Sequence, residues 1–126
     1  MISDKINSGI TGNIEIPGDK SISHRSIIIP SIAKGISEVN NILMSDDVIH
    51  TLEAFKLLGV KIKNEQSKII IYGNGLNGLS KPKKNIYLGN SGTSARLLTG
   101  LLASQSFNSV IEGDKSLSLR PMERIT

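Results

Sequence analysis

The sequence predicts an α/β (α+β) fold in which helices cover one face of a sheet. Three observations carry that prediction. Short strand-like runs that end at Gly, Pro or Asn alternate with runs of helical period. Glycine directly follows the first two helical runs, at Gly35 and Gly59, where a helix stop is expected. The octapeptide GDKSISHR at residues 18–25 returns as GDKSLSLR at residues 113–120, with six of eight letters kept across 95 residues, so one structural step is made twice.

Taken in order, residues 13–16 alternate polar and apolar and stop at Pro17-Gly18, which predicts a short strand and a turn. Residues 23–34 are mostly apolar and close at Gly35, which predicts a helix. Pro30 inside it predicts a kink or a split. Residues 36–43 read as a strand. Ser45 and Asp46 make an N-cap for a helix over 47–58, with Val48, Leu52, Phe55 and Leu58 on one stripe. Residues 60–63 and 68–72 predict paired strands joined by a polar turn at 64–67. The stretch 73–84 holds three Gly, one Pro and two Asn and reads as a loop.

Residues 85–88 predict another strand, and Gly89-Asn90-Ser91-Gly92 a tight turn. Residues 93–104 form an amphipathic helix with Leu97, Leu98, Leu101 and Leu102 inward. Residues 109–112 read as a strand before the second octapeptide. Arg120-Pro121-Met122 predicts a further helix start, since Pro suits a first helical turn. The order is β-α-β-α-β-β, then β-α-β-(α). The last helix would stop within two turns of its start, so the sequence is expected to be a truncated chain or the opening piece of a longer protein.

Composition narrows the function classes. The 126 residues suffice for one compact domain. Aromatic residues make up 3% and Trp is absent, which argues against base stacking. Fifteen Lys and Arg against eleven Asp and Glu give +4, a mild excess that suits small acidic ligands as well as nucleic acid. The absence of Cys removes disulfides, thiolate metal sites and Cys nucleophiles. His24 and His50 are too few for a metal site built on His alone. No metal and no cofactor are expected. The N-terminal residues show no signal-like apolar run and no stretch reaches about eighteen apolar residues, so the expectation is a cytoplasmic protein with no membrane partner.

Each octapeptide offers a glycine turn, a lysine, a serine hydroxyl and an arginine. Lys supplies a compact charge and Arg a planar fork for carboxylate or phosphate. The first copy leads into an apolar run, so it is placed where a loop becomes a helix and backbone N–H groups favour anions. A single copy is also explained as a solvated surface turn; the repetition favours two anchor points over one ligand. Residues 89–93 form a third glycine turn at a helix start, followed by Arg96, and the plain reading is a strand-to-helix connection. The P-loop pattern is absent, and GNGLNG at 73–78 has no helix after it to make a dinucleotide site. Asp46 and Asp47 are candidates for general bases or metal ligands, but read first as favourable charge at a helix N-terminus. His24 reads as a structural or exposed residue, and His50 is given no role.

Four segments, IPGDKSISHRSII, NNILMSDDVIHTLEAFKLLGV, LGNSGTSARLLTGLLA and IEGDKSLSLRPM, occur in an order and spacing that resemble the N-terminal part of the 5-enolpyruvylshikimate-3-phosphate synthase family, the 3-phosphoshikimate 1-carboxyvinyltransferases. The resemblance covers essentially the whole chain. The sister enzyme acting on UDP-N-acetylglucosamine opens with a different Lys-Asn loop, so Ser21 and Arg25 argue against it.

The resemblance implies repeated β-α-β-α-β-β units of the enolpyruvyl transferase fold, cut after about one and a half units. Residues 1–17 would be a strand segment of the lower domain and 18–126 part of the upper domain. It implies transfer of the enolpyruvyl group from phosphoenolpyruvate to the 5-hydroxyl of 3-phosphoshikimate with release of phosphate, without cofactor. By motif position Lys20 would be catalytic and touch both substrates. Ser21 and Arg25 would hold 3-phosphoshikimate, and Gly92 and Arg120 would hold phosphoenolpyruvate, with Asn90, Thr93 and Arg96 in support. Glycine at 92 is the form associated with sensitivity to glyphosate. Leu97 departs from the family pattern, which often has Pro there. A later Ser-Ser-Gln motif, the proton-transferring acids and further cations are missing. The missing C-terminal part is therefore the expected partner, the full-length form a monomer, and the isolated chain inactive.

Two other classes stand beside the enzyme reading. One is a non-catalytic anion-binding fragment of a split or decayed gene. The other is a nucleic-acid-binding domain, supported only by the basic balance and opposed by the lack of aromatics.

Overall fold

The computed structural model describes residues 11–65, 68–123 and 125. Helix α1 spans Lys20–Ile32, strand β1 Lys34–Asn40, helix α2 Asp46–Leu57, strand β2 Lys61–Glu65 and strand β3 Lys68–Asn74. After a loop come strand β4 (Ile86–Tyr87), helix α3 (Gly92–Ala103), strand β5 (Ile111–Glu112) and the short helix α4 (Lys115–Ser118).

Strands β1, β3 and β2 form an antiparallel sheet with β3 central, in register Val39↔Ile69 and Ile62↔Ile71. Alternation along β3 sends Ile69 and Ile71 inward, both almost fully buried. They meet Ile27 of α1 and Val48, Leu52 and Phe55 of α2 in one core, which α3 joins through Ala95, Leu98 and Leu102. Each fully buried Ile, Leu or Phe of this group contributes about 1.5–3 kcal/mol by removal from water. The opposite face of the sheet is open, with Ile36 69% exposed. The helices thus cover one face, as the sequence predicts.

Strands β4 and β5 pair in parallel, Ile86↔Ile111, with α3 as the crossover between them. Their pairing continues past the strands: the Leu88 N–H donates to the Glu112 carbonyl at 2.9 Å and the Asp114 N–H to the Gly89 carbonyl at 2.9 Å. The turn that carries Gly92 and the second octapeptide are therefore fastened side by side.

Four expectations need correction. Residues 13–16 form no strand, and Ile14 and Ile16 are exposed; a strand without a ladder partner has nothing to satisfy its backbone. Pro30 does not split α1, which runs on to Ile32; the proline takes only its own N–H from the ladder, and the Ala33 N–H beyond it still donates to the Ile29 carbonyl at 3.0 Å. Leu97 points out, 44% exposed, because the buried stripe of α3 runs through Ser94, Ala95, Leu98 and Leu102. The last helical turn lies at Lys115–Ser118 inside the second octapeptide and not from Arg120 onward. Pro121 disfavours helical geometry at the residue before it. Of the expected turn at 64–67, Gln66 and Ser67 lie outside the described residues, as do residues 1–10.

Candidate functional site

The repeated octapeptide folds the same way twice. Asp19 is the N-cap of α1 and accepts from the Ile22 N–H at 2.7 Å, while the Ser23 hydroxyl donates back to the Asp19 carbonyl at 2.7 Å. In the second copy Asp114 caps α4 and accepts from the Leu117 N–H at 2.7 Å, and the Ser118 hydroxyl donates to the Asp114 carbonyl at 2.9 Å. The aspartate satisfies one of the orphan donors of each helix start, an effect typically worth about 1 kcal/mol. Lys20 and Lys115 follow as the first helical residues, so each lysine leaves the helix at its capped end.

Around the first copy, Lys20 forms an ion pair with Asp47, which sits in the first turn of α2. The Asp47 carboxylate is largely shielded while Lys20 stays half exposed. Ser21 and Arg25 are exposed and, four residues apart on α1, share one face.

Around the second copy the structure gathers four of the predicted residues. Gly92 opens α3 behind the N-cap Ser91. A β-carbon at Gly92 would lie 2.8 Å from Arg120 Nη1 and 3.3 Å from Arg96 Nη1. Arg120 also donates to the Asn90 side-chain oxygen through Nη2. The two guanidiniums converge on one point above the glycine, within about 6 Å of each other, where like charges repel. Among the described residues neither makes an ion pair. Two close cations of this kind suit an anion chemically. Thr93 is exposed on the first turn of the same helix.

A buried polar network lies between these two groups. His24 Nδ1 is 2.9 Å from Thr51 Oγ1 and 3.2 Å from Ser94 Oγ. Thr51 and Ser94 hydroxyls are 2.6 Å apart, and Ser94 and Ser91 hydroxyls 2.7 Å. His24, Thr51, Ser91 and Ser94 are all essentially inaccessible to water. Burial is the main reason why the His24 pKa lies below its ordinary value; Asp47 opposes this and Lys20 adds to it. Through this network the starts of α1, α2 and α3 meet. Lys20 and Asp47 lie at one end, and Gly92, Arg96, Arg120 and Asn90 at the other.

Sequence reasoning left His24 as structural or exposed, where it is fully buried, and missed its partners. It also missed the capping aspartates and the Asp47 partner of Lys20. The caps had a local signal, an Asp standing directly before each helical run. The network had none.

Comparison with known proteins decides the family. A family profile described as EPSP synthase (3-phosphoshikimate 1-carboxyvinyltransferase) matches residues 5–126. The chain belongs to the EPSP synthase family. It is 53% identical over 119 residues to the 3-phosphoshikimate 1-carboxyvinyltransferase of Streptococcus mutans, covering 94% of this chain and 28% of that one. With the Oenococcus oeni protein of the same name it shares 54% over 118 residues, 94% of this chain and 27% of that one. The fold superposes on an EPSP synthase from Acinetobacter baumannii with a TM-score of 0.85 at 49% identity, covering 90% of this chain and 26% of that one. The sequence therefore spans somewhat more than a quarter of the EPSP synthases it matches. No helix among the described residues is long and apolar enough to cross a membrane.

Proposed function

We propose that this chain supplies one wall of a cleft for enolpyruvyl transfer from phosphoenolpyruvate to the 5-hydroxyl of 3-phosphoshikimate. The observation that carries the reading is the pair of guanidiniums, Arg96 and Arg120, which make no ion pair among the described residues and converge over the glycine at 92. Both substrates are polyanions, and bringing them together requires cations that offset their repulsion. Arg120 and the Gly92 turn take phosphoenolpyruvate, with Asn90 orienting Arg120 and with Thr93 and Arg96 in support. Ser21 and Arg25, on one exposed face of α1, take 3-phosphoshikimate.

Lys20 leaves the capped end of α1 between the two, held meanwhile by Asp47. In this reading its ammonium stabilises charge as the hydroxyl adds to C2 of phosphoenolpyruvate and C3 takes a proton. Elimination of phosphate from the tetrahedral adduct completes the transfer. The acids that move the protons and the rest of the cleft belong to the portion of the relatives that this chain does not span. Residues 1–17 belong with that portion and residues 18–126 form part of the upper domain. The whole acts as a monomer in the cytoplasm.

The test is phosphate release. The isolated polypeptide is expected to give none, because the cleft cannot close. Joined to the remaining part of the Streptococcus mutans relative, it is expected to turn over, with Lys20→Met and Arg120→Met each lowering kcat/KM by about a hundredfold or more. Family-like turnover by the isolated chain refutes the half-cleft reading, and an indifferent Lys20→Met in the joined protein refutes the assignment. Binding of phosphate by the isolated chain with no turnover in the joined protein favours a non-catalytic anion-binding fragment.

A further inference from the structure

The buried network offers an inference that rests on the proposed anion site and deepens it. We infer that His24, Thr51 and Ser94 are positioning residues, a hydrogen-bonded pin that holds the Lys20 end and the Gly92 end of the site at a set separation. One hydroxyl is the centre of the pin. Thr51 Oγ1 donates to the Asp47 carbonyl at 3.1 Å in its own helix and lies 2.9 Å from His24 of α1 and 2.6 Å from Ser94 of α3.

Counting protons assigns the donors. Thr51 has a single hydroxyl proton, and with that proton on the Asp47 carbonyl it accepts from its other neighbours. His24 then carries its proton on Nδ1 and donates to Thr51, and Ser94 donates to Thr51. Ser91 completes the chain by donating to Ser94, while its own oxygen accepts from the Ser94 N–H at 3.2 Å. Nε2 of His24 is left as a bare acceptor. It is buried and has no partner among the described residues, which is less costly for a lone pair than for an N–H.

Two features make this a positioning device and not only packing. Each group in it sits within one or two turns of a residue of the site: His24 one turn after Lys20, Thr51 one turn after Asp47, Ser94 two residues after Gly92. The contacts are directional and side chain to side chain, and they join three helices whose starts make few other mutual contacts of this kind. Apolar contacts are non-directional, whereas the hydrogen bonds of this buried network fix the relative placement of the groups that make them.

The experiment uses the 126-residue chain, with Thr51→Val, Ser94→Ala, His24→Leu and His24→Asn. Asn places an amide N–H close to where the imidazole Nδ1–H lies, so His24→Asn keeps the donor. Without ligand, the NMR signals of the Lys20 side chain and the Gly92 amide are expected to shift in Thr51→Val and His24→Leu and to stay near wild type in His24→Asn. The 15N shifts of His24 are expected to show a proton on Nδ1.

Titration with phosphoenolpyruvate is then expected to give at least about fivefold weaker binding in Thr51→Val, with rescue in His24→Asn. If Thr51→Val does not fold, Ser94→Ala, which removes a hydroxyl of the same network without adding a methyl group, decides the question. Unmoved Lys20 and Gly92 signals in the folded variants overturn the inference, and so does a His24→Asn variant as displaced as His24→Leu. If the wild-type chain takes up no phosphoenolpyruvate, or Lys20→Met and Arg120→Met bind as wild type does, the anion site itself is wrong. The ligand-free signals still judge the pin.

Discussion

Replacing Gly92 with alanine separates stability from binding in one substitution. The new methyl group would sit 2.8 Å from Arg120 Nη1 and 3.3 Å from Arg96 Nη1. Both are the far ends of flexible side chains, so the guanidiniums swing aside and the backbone stays. The loss to stability is the Arg120 bond to Asn90, about 0.5–1.5 kcal/mol. Against it stands the better helix propensity of alanine, at most about 1 kcal/mol and less in a first turn. The two nearly cancel, and the unfolding free energy is expected to stay within about 1 kcal/mol of wild type. Binding has no such offset. A displaced Arg120 removes one charge-assisted contact to an anion, about 1.5–3 kcal/mol, which is about ten- to a hundredfold in Kd. Urea unfolding followed by circular dichroism gives the first quantity. NMR titration with phosphoenolpyruvate, suited to weak binding, gives the second. Unchanged affinity with unchanged stability refutes the placement of the anion between the glycine and the two arginines.

Two further outcomes follow. Gly89→Ala should destabilise the fold by more than about 2 kcal/mol, read from the urea midpoint, since Gly89 has φ +54° and the His50 ring occupies the place of a β-carbon; a midpoint like wild type refutes it. Acid should weaken the fold through His24. Its folded pKa lies below the ordinary 6.5, so the unfolded chain binds the proton more readily; the contribution of the neutral ring is full above 6.5 and is lost as pH falls through 6.5 toward the folded value. The urea midpoint of wild type should therefore drop more steeply from pH 7 to 5 than that of His24→Asn, and equal slopes contradict the account.

The legible parts of this fold are those with local causes. The stripe Val48, Leu52, Phe55 and Leu58 was readable because helical period and burial coincide. Leu97 was not, since Leu97 and Leu98 both border the apolar face of α3 and only the neighbouring elements choose between them. The second octapeptide shows a signal present but unused: Asp114 repeats the capping of Asp19, and the helical turn follows it as α1 follows the first. Residues 13–16 have strand-like alternation, yet a strand is made by its partner. The basic residues of the site were visible as motifs. The network that joins them was not, because its contacts cross 27, 43 and 70 residues of chain between amino acids with no unusual spacing.

The two halves of the site differ in how they are built. Main-chain hydrogen bonds tie the turn before α3 to the strand end that leads into Arg120, so that jaw is set before any guest arrives. The other jaw, with Lys20, Ser21 and Arg25 on solvent-facing helix surface, must surrender rotational freedom on capture. In the proposed reading, the entropic toll of capture falls mainly on the α1 side, where Ser21 and Arg25 stand in solvent and Lys20 must leave Asp47.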